Sequence, residues 1–186
     1  MPYWSMMAVR GGLGIVLGLA VLLWPTVGLG ELVALFGVYA VLDGIVAAFS
    51  AIRVSRRGIE AWPVLLEGLF SIGLGVVALG DPFQSARFVY VVALWGVVTG
   101  ILEILAALRF VSGLAPRLCL AAGGAWSIFL AVFVLALPHA LTEQLVSAIG
   151  VYALVFGVLV SIAAFRLRRA VPVTMIRTVD QRWTAR

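Results

Sequence analysis

Six stretches of the chain are almost wholly apolar, and short polar clusters separate them: 5–24, 30–52, 62–80, 86–108, 117–137 and 142–165. A helix rises about 1.5 Å per residue, so about 20 apolar residues cross a hydrocarbon core of about 30 Å. Each stretch meets that length. None alternates with period two, which argues against a β-barrel. The first stretch has no cationic start and no small-residue cleavage site before Pro25, so it is expected to be a retained helix rather than a signal peptide.

Composition sharpens this reading. Of 186 residues, 64% are hydrophobic and 11% charged, and the mean hydropathy is +1.19. A soluble domain of this size has too much surface to hide so much apolar area. A soluble enzyme, a disordered chain and a nucleic-acid binder are therefore excluded as expectations. The net charge of +5 comes from arginine alone, because the chain contains no lysine. Twelve arginines (Arg10, Arg53, Arg56, Arg57, Arg109, Arg117, Arg166, Arg168, Arg169, Arg177, Arg182 and Arg186) fall on one side of the predicted spans, and Arg87 alone on the other. The positive-inside rule then places both termini in the cytoplasm. Trp4, Trp62 and Trp183 fall near predicted cytoplasmic boundaries and Trp24 near an outer one, as interfacial anchors do. Residues 1–169 are read as one transmembrane domain and 170–186 as a basic cytoplasmic tail that attracts anionic lipid.

The stretches repeat. Pro25, Pro82 and Pro138 are 57 and 56 residues apart, and Gly44, Gly100 and Gly157 are 56 and 57 apart. Tyr39, Trp95 and Tyr152 share the period, as do Arg53, Arg109 and Arg166. Each copy (about 5–53, 62–109 and 117–166) is an odd helix, a proline-marked turn, an even helix and an arginine stop. Proline suits the end of the odd helix because it cannot continue the hydrogen-bond ladder. The expected fold is an all-α integral membrane protein: six transmembrane helices as three tandem two-helix repeats about a pseudo-three-fold axis. Small residues seven apart mark the packing faces. Odd helices carry Gly11 and Gly18, Gly68 and Gly75, and Gly124 and Ala131, with Gly14, Ser71 and Ser127 between them. Even helices carry Gly37 and Gly44, Ala93 and Gly100, and Gly150 and Gly157. Such stripes let two helix backbones approach closely. The Gly-x-Gly matches at 12–14, 28–30 and 73–75 lie in apolar helices or short turns and do not make a phosphate loop.

These residues resemble the HdeD family of bacterial acid-resistance membrane proteins. The resemblance rests on R-G-G-L-G-I-V-L-G at 10–18, L-W-P at 23–25, F-G-V-Y-A-V-L-D-G at 36–44, W-G-V-V-T-G-I-L-E at 95–103 and I-G-V-Y-A-L-V-F-G at 149–157, and covers about residues 8–169. It implies a six-span protein of the bacterial inner membrane linked to acid stress. It brings no catalytic residues.

Four ionisable residues fall inside the predicted spans: Arg10, Asp43, Glu67 and Glu103. At about 1.5 Å per residue, Asp43 lies about 3 Å from the midplane, Glu67 about 6 Å, Arg10 about 7 Å and Glu103 about 9 Å. Charges at such depths are expensive and are usually paired or functional. Arg10 and Glu67 hold equivalent positions in repeats one and two, with Gly123 in that place in repeat three. They are expected to pair across the first and third helices or to snorkel. Glu103 is expected to snorkel, and Asp43 either to hydrogen-bond Thr99 or to take a proton-responsive role. Three carboxylates cannot all pair with one arginine, so at least one acid is expected to carry its proton, and Arg10, Asp43, Glu67 and Glu103 together are the candidate proton-responsive or ion-pair cluster.

Other candidates are weaker. His139 follows Pro138 in an outer turn near Glu143 and reads as a solvated loop histidine, with a pH-sensing alternative. One histidine and the single Cys119, read as a buried small hydrophobe, make no metal site. Ser71 and Ser127 have no histidine in reach for a nucleophile. No catalytic, cofactor or metal site is expected. The expected function is a non-enzymatic, HdeD-like stress protein acting through membrane lipid, without nucleic acid, and leaving open a homo-oligomer or a membrane-protein partner. The alternative is a small transporter or channel whose axial path uses the intramembrane carboxylates.

Overall fold

The computed structural model describes residues 3–24, 26–56, 61–80, 85–111, 113–136 and 142–170. They form α1 (Tyr3–Leu23), α2 (Leu29–Ser55), α3 (Trp62–Gly80), α4 (Ser85–Phe110), α5 (Leu114–Ala136) and α6 (Thr142–Ala170). All six are long and apolar enough to cross a membrane, and the chain is a multi-pass membrane protein. The basic segment beyond Ala170, the turn with Pro138 and His139, and Pro25, Pro82 and Trp183 lie outside the described residues.

Several helices outrun their apolar stretches. α6 continues to Ala170 because Arg168 and Arg169 in its last turn favour the negative end of the helix dipole. α5 starts at Leu114, ahead of Pro116, because proline is tolerated in a first turn where no backbone donor is needed. Just before it, Gly113 has φ of 95°, a left-handed conformation that suits glycine.

The hairpin repeat is not the unit of closest packing. The most intimate pairs are α2 with α3, α4 with α5 and α6 with α1, each joining an even helix to an odd helix of another repeat. Within one repeat the two helices meet less extensively. The result is a closed ring with alternating tight and looser seams.

The glycine stripes occupy the tight seams. A Cβ placed on Gly44 would lie 2.5 Å from the Gly68 carbonyl oxygen, on Gly100 2.5 Å from that of Gly124, and on Gly157 2.6 Å from that of Gly11. Gly18 faces Leu154 and Gly150, and Gly75 faces Gly37 and Val41. In lipid there is no hydrophobic drive between helices, so such backbone proximity is what joins them.

The even helices line the axis in layers of equivalent residues. Leu32, Phe88 and Leu145 form one layer, then Phe36, Val92 and Ile149, then Tyr39, Trp95 and Tyr152, all buried. Phe36 meets Trp95 edge-on at 5.4 Å, and Trp95 touches Tyr39 at 6.0 Å and Tyr152 at 6.1 Å. The perimeter is apolar too: Val16, Phe49, Leu69, Tyr90, Leu118 and Phe165 are among its exposed side chains. That surface suits acyl chains rather than water.

Candidate functional site

The next layer along the axis, toward the end where α1 starts and α6 finishes, holds the ionisable residues. The odd helices contribute Arg10, Glu67 and Gly123, and the even helices Asp43, Thr99 and Phe156. Each of the six immediately precedes a seam glycine: Gly11, Gly68, Gly124, Gly44, Gly100 or Gly157. A helix turns about 100° per residue. A glycine against a neighbouring helix therefore aims the residue before it at the ring interior. The packing motif and the site are one piece of sequence.

Arg10 is the hub. Its Nε donates to Asp43 Oδ1 at 2.8 Å and its Nη2 to Asp43 Oδ2 at 2.9 Å. Nη2 also donates to Glu67 Oε1. The fork on Asp43 is the bidentate geometry that makes arginine–carboxylate pairs directional and strong. Exposure is 7% for Arg10, 1% for Asp43, 1% for Glu67 and 2% for Glu103. Snorkelling is thus corrected for Arg10 and Glu103, whose side chains stay inside the ring.

The Asp43–Thr99 hydrogen bond does not form. Thr99 Oγ1 donates instead to its own helix, at the Trp95 carbonyl 2.6 Å away. The physical reason is competition. A guanidinium binds a carboxylate more strongly than a neutral hydroxyl does, and a helical threonine has a ready acceptor one turn back. Glu103 comes from one turn nearer the arginine-rich end, at the level of Ala47 and Val160. A Cβ on Gly123 would meet Glu103 Oε2 at 3.5 Å. Its carboxylate therefore fills the place where repeat three supplies no side chain. Cys119 is half-buried rather than buried, because it stands on the helix between exposed Leu118 and buried Leu120, against the edge of the core.

The aromatic layer beside the charges is tied down by Ser71 and Ser127, whose part as hydrogen-bond partners the sequence reading did not foresee. Trp95 Nε1 donates to Ser71 Oγ at 3.1 Å. Ser127 Oγ donates to the Gly123 carbonyl at 3.2 Å, so Tyr152 OH donates to Ser127 Oγ at 2.8 Å, a hydroxyl having one proton to give. The equivalent partner for Tyr39 is Gly14, which has no hydroxyl, and Tyr39 OH is without a hydrogen bond. The signal was present in the shared register of 14, 71 and 127 with 39, 95 and 152. At the arginine-rich end, Arg168 lies over Trp4 at 4.8 Å and Arg109 over Trp62 at 5.6 Å, cation–π contacts that fasten helix ends.

The family described as a short repeat of unknown function (DUF308) matches at residues 9–80, 66–126 and 122–178. The three matches begin one residue before Arg10, Glu67 and Gly123, and so at equivalent points of the ring. No curated protein and no solved structure matches the chain. The chain belongs to this short-repeat family, of which the HdeD proteins are members.

Proposed function

We propose that this member of the short-repeat family is a non-enzymatic protein of the bacterial inner membrane, with both termini cytoplasmic, that supports tolerance of acid or related stress. One observation carries the reading. Arg10, Asp43, Glu67 and Glu103 are buried within about one helical turn of one another along an axis that Tyr39, Trp95, Tyr152 and two further apolar layers fill on the other side. Ionisable groups buried at membrane depth respond to protons and pairing, and a packed axis turns that response into a change of helix packing rather than passage of a solute. The arginine asymmetry supports the orientation, and the likeness to HdeD proteins supports the stress. Among the described residues, neither the buried serines nor Cys119 has a base positioned to activate it, which supports a reading without turnover.

The test is deletion of the gene in its own host, followed by complementation across a range of external pH. Wild type should restore survival in acid, and Asp43→Asn, Glu67→Gln and Glu103→Gln should restore it only in part. Equal survival of the deletion strain and its parent under acid and related stresses would refute the proposal. Substrate or ion flux through the purified protein in liposomes would replace it with the transport reading.

A further inference from the structure

Among the described residues, two buried carboxylate oxygens of the charged cluster have no hydrogen-bond donor: Glu67 Oε2 and Glu103 Oε1. Both belong to residues no more than 2% exposed. Arg10 spends its hydrogen bonds on Asp43 and on the other oxygen of Glu67, and none reaches Glu103. An ionised carboxylate that is buried and lacks a donor is heavily penalised.

The groups around Glu103 come from every side of the ring. They are Arg10 on α1, Tyr39 and Asp43 on α2, Glu67 on α3 and Tyr152 on α6, while α5 presents the uncharged Gly123. Among the described residues, the layer therefore carries a further glutamate without a further cation. Among the described residues, no group of three His, Cys, Asp or Glu side chains is placed to hold a metal ion. A proton is the ligand that answers this, since it removes a buried charge that has no donor of its own.

We propose that Glu67 and Glu103 form a binding site for one proton, carried by Glu103, with access from the arginine-rich end alone. This rests on the charge layer being the responsive part of the protein. Hydronium gives its proton to a Glu103 carboxylate oxygen, an O–H bond forms, and water is left behind. On the arginine-rich side the layer beyond Glu103 is Ala51, Ala107 and Ala164, three small buried side chains. On the other side stand the aromatic layer and the two apolar layers behind it, so the proton is not passed on. Release of the proton leaves Glu103 charged, with Arg10 the cation that acts on it among the described residues. The guanidinium must then divide its donors between Asp43 and Glu103, which loosens the α1–α2 connection.

The experiment is pH-difference infrared spectroscopy on the full chain in lipid nanodiscs. Wild type should show a carboxylic acid C=O band that appears on acidification and shifts in heavy water. Glu103→Gln should lose the band, Glu103→Asp should keep one at a displaced frequency, and Glu67→Gln should move its midpoint. Glu31→Gln, at the exposed start of α2, should leave it unchanged. No such band in wild type, a band intact in Glu103→Gln, or a midpoint unmoved in Glu67→Gln would overturn the shared site. Vesicles containing the protein and a pH dye should acidify no faster than empty ones, and faster acidification would overturn the one-sided access. A growth assay that fails with the band present counts against the stress role and leaves the proton site standing.

Discussion

Replacing Gly44 by alanine tests the seam directly. The new Cβ would stand 2.5 Å from the Gly68 carbonyl oxygen and 2.8 Å from the Ile72 backbone nitrogen, where ordinary contact begins near 3.4 Å. Both neighbours are backbone, so no side chain can swing aside, and α2 and α3 must part by about 0.9 Å. A radial gap of about 0.5–1 Å forfeits about a quarter to a half of each dispersion well. Overpacking of this kind costs about 1–3 kcal/mol, and backbone neighbours put Gly44→Ala toward the upper end. For a chain of this length that is a fall in melting temperature of about 5–10 °C. The control is Gly73→Ala on α3. Nothing lies within 4 Å of its added Cβ, and it should gain about 0.5–1 kcal/mol because alanine is the better helix former. Thermal unfolding in a mild detergent, followed by helical circular dichroism, reads both. Gly100→Ala and Gly157→Ala should repeat the Gly44 result at the other two seams. If Gly44→Ala melts with wild type, or if Gly73→Ala is hurt as badly, the close-approach account of the ring is wrong.

Three further outcomes are expected. Arg10→Gln leaves three buried acids without a cation and should lower folded yield by an amount consistent with about 3–5 kcal/mol, with purification at lower pH recovering part of it because protonation removes the unpaired charges; equal yield at all pH values would contradict the hub assignment. Tyr39→Phe removes a buried hydroxyl that has no partner and should be neutral or stabilising, whereas Tyr152→Phe breaks a hydrogen bond to Ser127 and should cost about 1 kcal/mol; melting temperatures that order the other way would refute the three-fold register of the aromatic layer. In a Cys119→Ala background, single cysteines at Gly28, Gln84 and His139 should react with an impermeant maleimide added outside cells and one at Arg56 should not; the reverse pattern would invert the orientation.

The six helices and their threefold order were legible because a period of 56–57 residues recurs in four residue types at once, and because lipid demands about 20 apolar residues per crossing. Their pairing was not. A tandem repeat shows which helices are consecutive, while the seams are set by which glycine faces meet, and Gly44 meets Gly68 of the next repeat rather than Gly11 of its own. The Arg10–Glu67 meeting followed from equivalence of position alone. The capture of Asp43 did not, because Thr99 stood at the symmetric place and drew attention to a weaker partner. Glu103 was legible as a member of the charged cluster, but its place in it was not: that depends on the absence of a side chain at Gly123, and an absence has no motif.

The seam between α1 and α6 also constrains how the protein is made. During synthesis α2 can take up α3, and α4 can take up α5, as soon as each next helix enters the bilayer. α1 has to wait. Its Gly11, Gly14 and Gly18 groove is cut to the backbone of α6, the last of the six helices to be inserted, so the ring closes in a single late, long-range step. Until then α1 and Arg10 sit at a half-built edge, which the α6 of another chain could occupy as well as its own. Exchange of α6 between neighbouring chains is therefore the misassembly this architecture invites, and fast delivery of α6 is what the order of its helices demands.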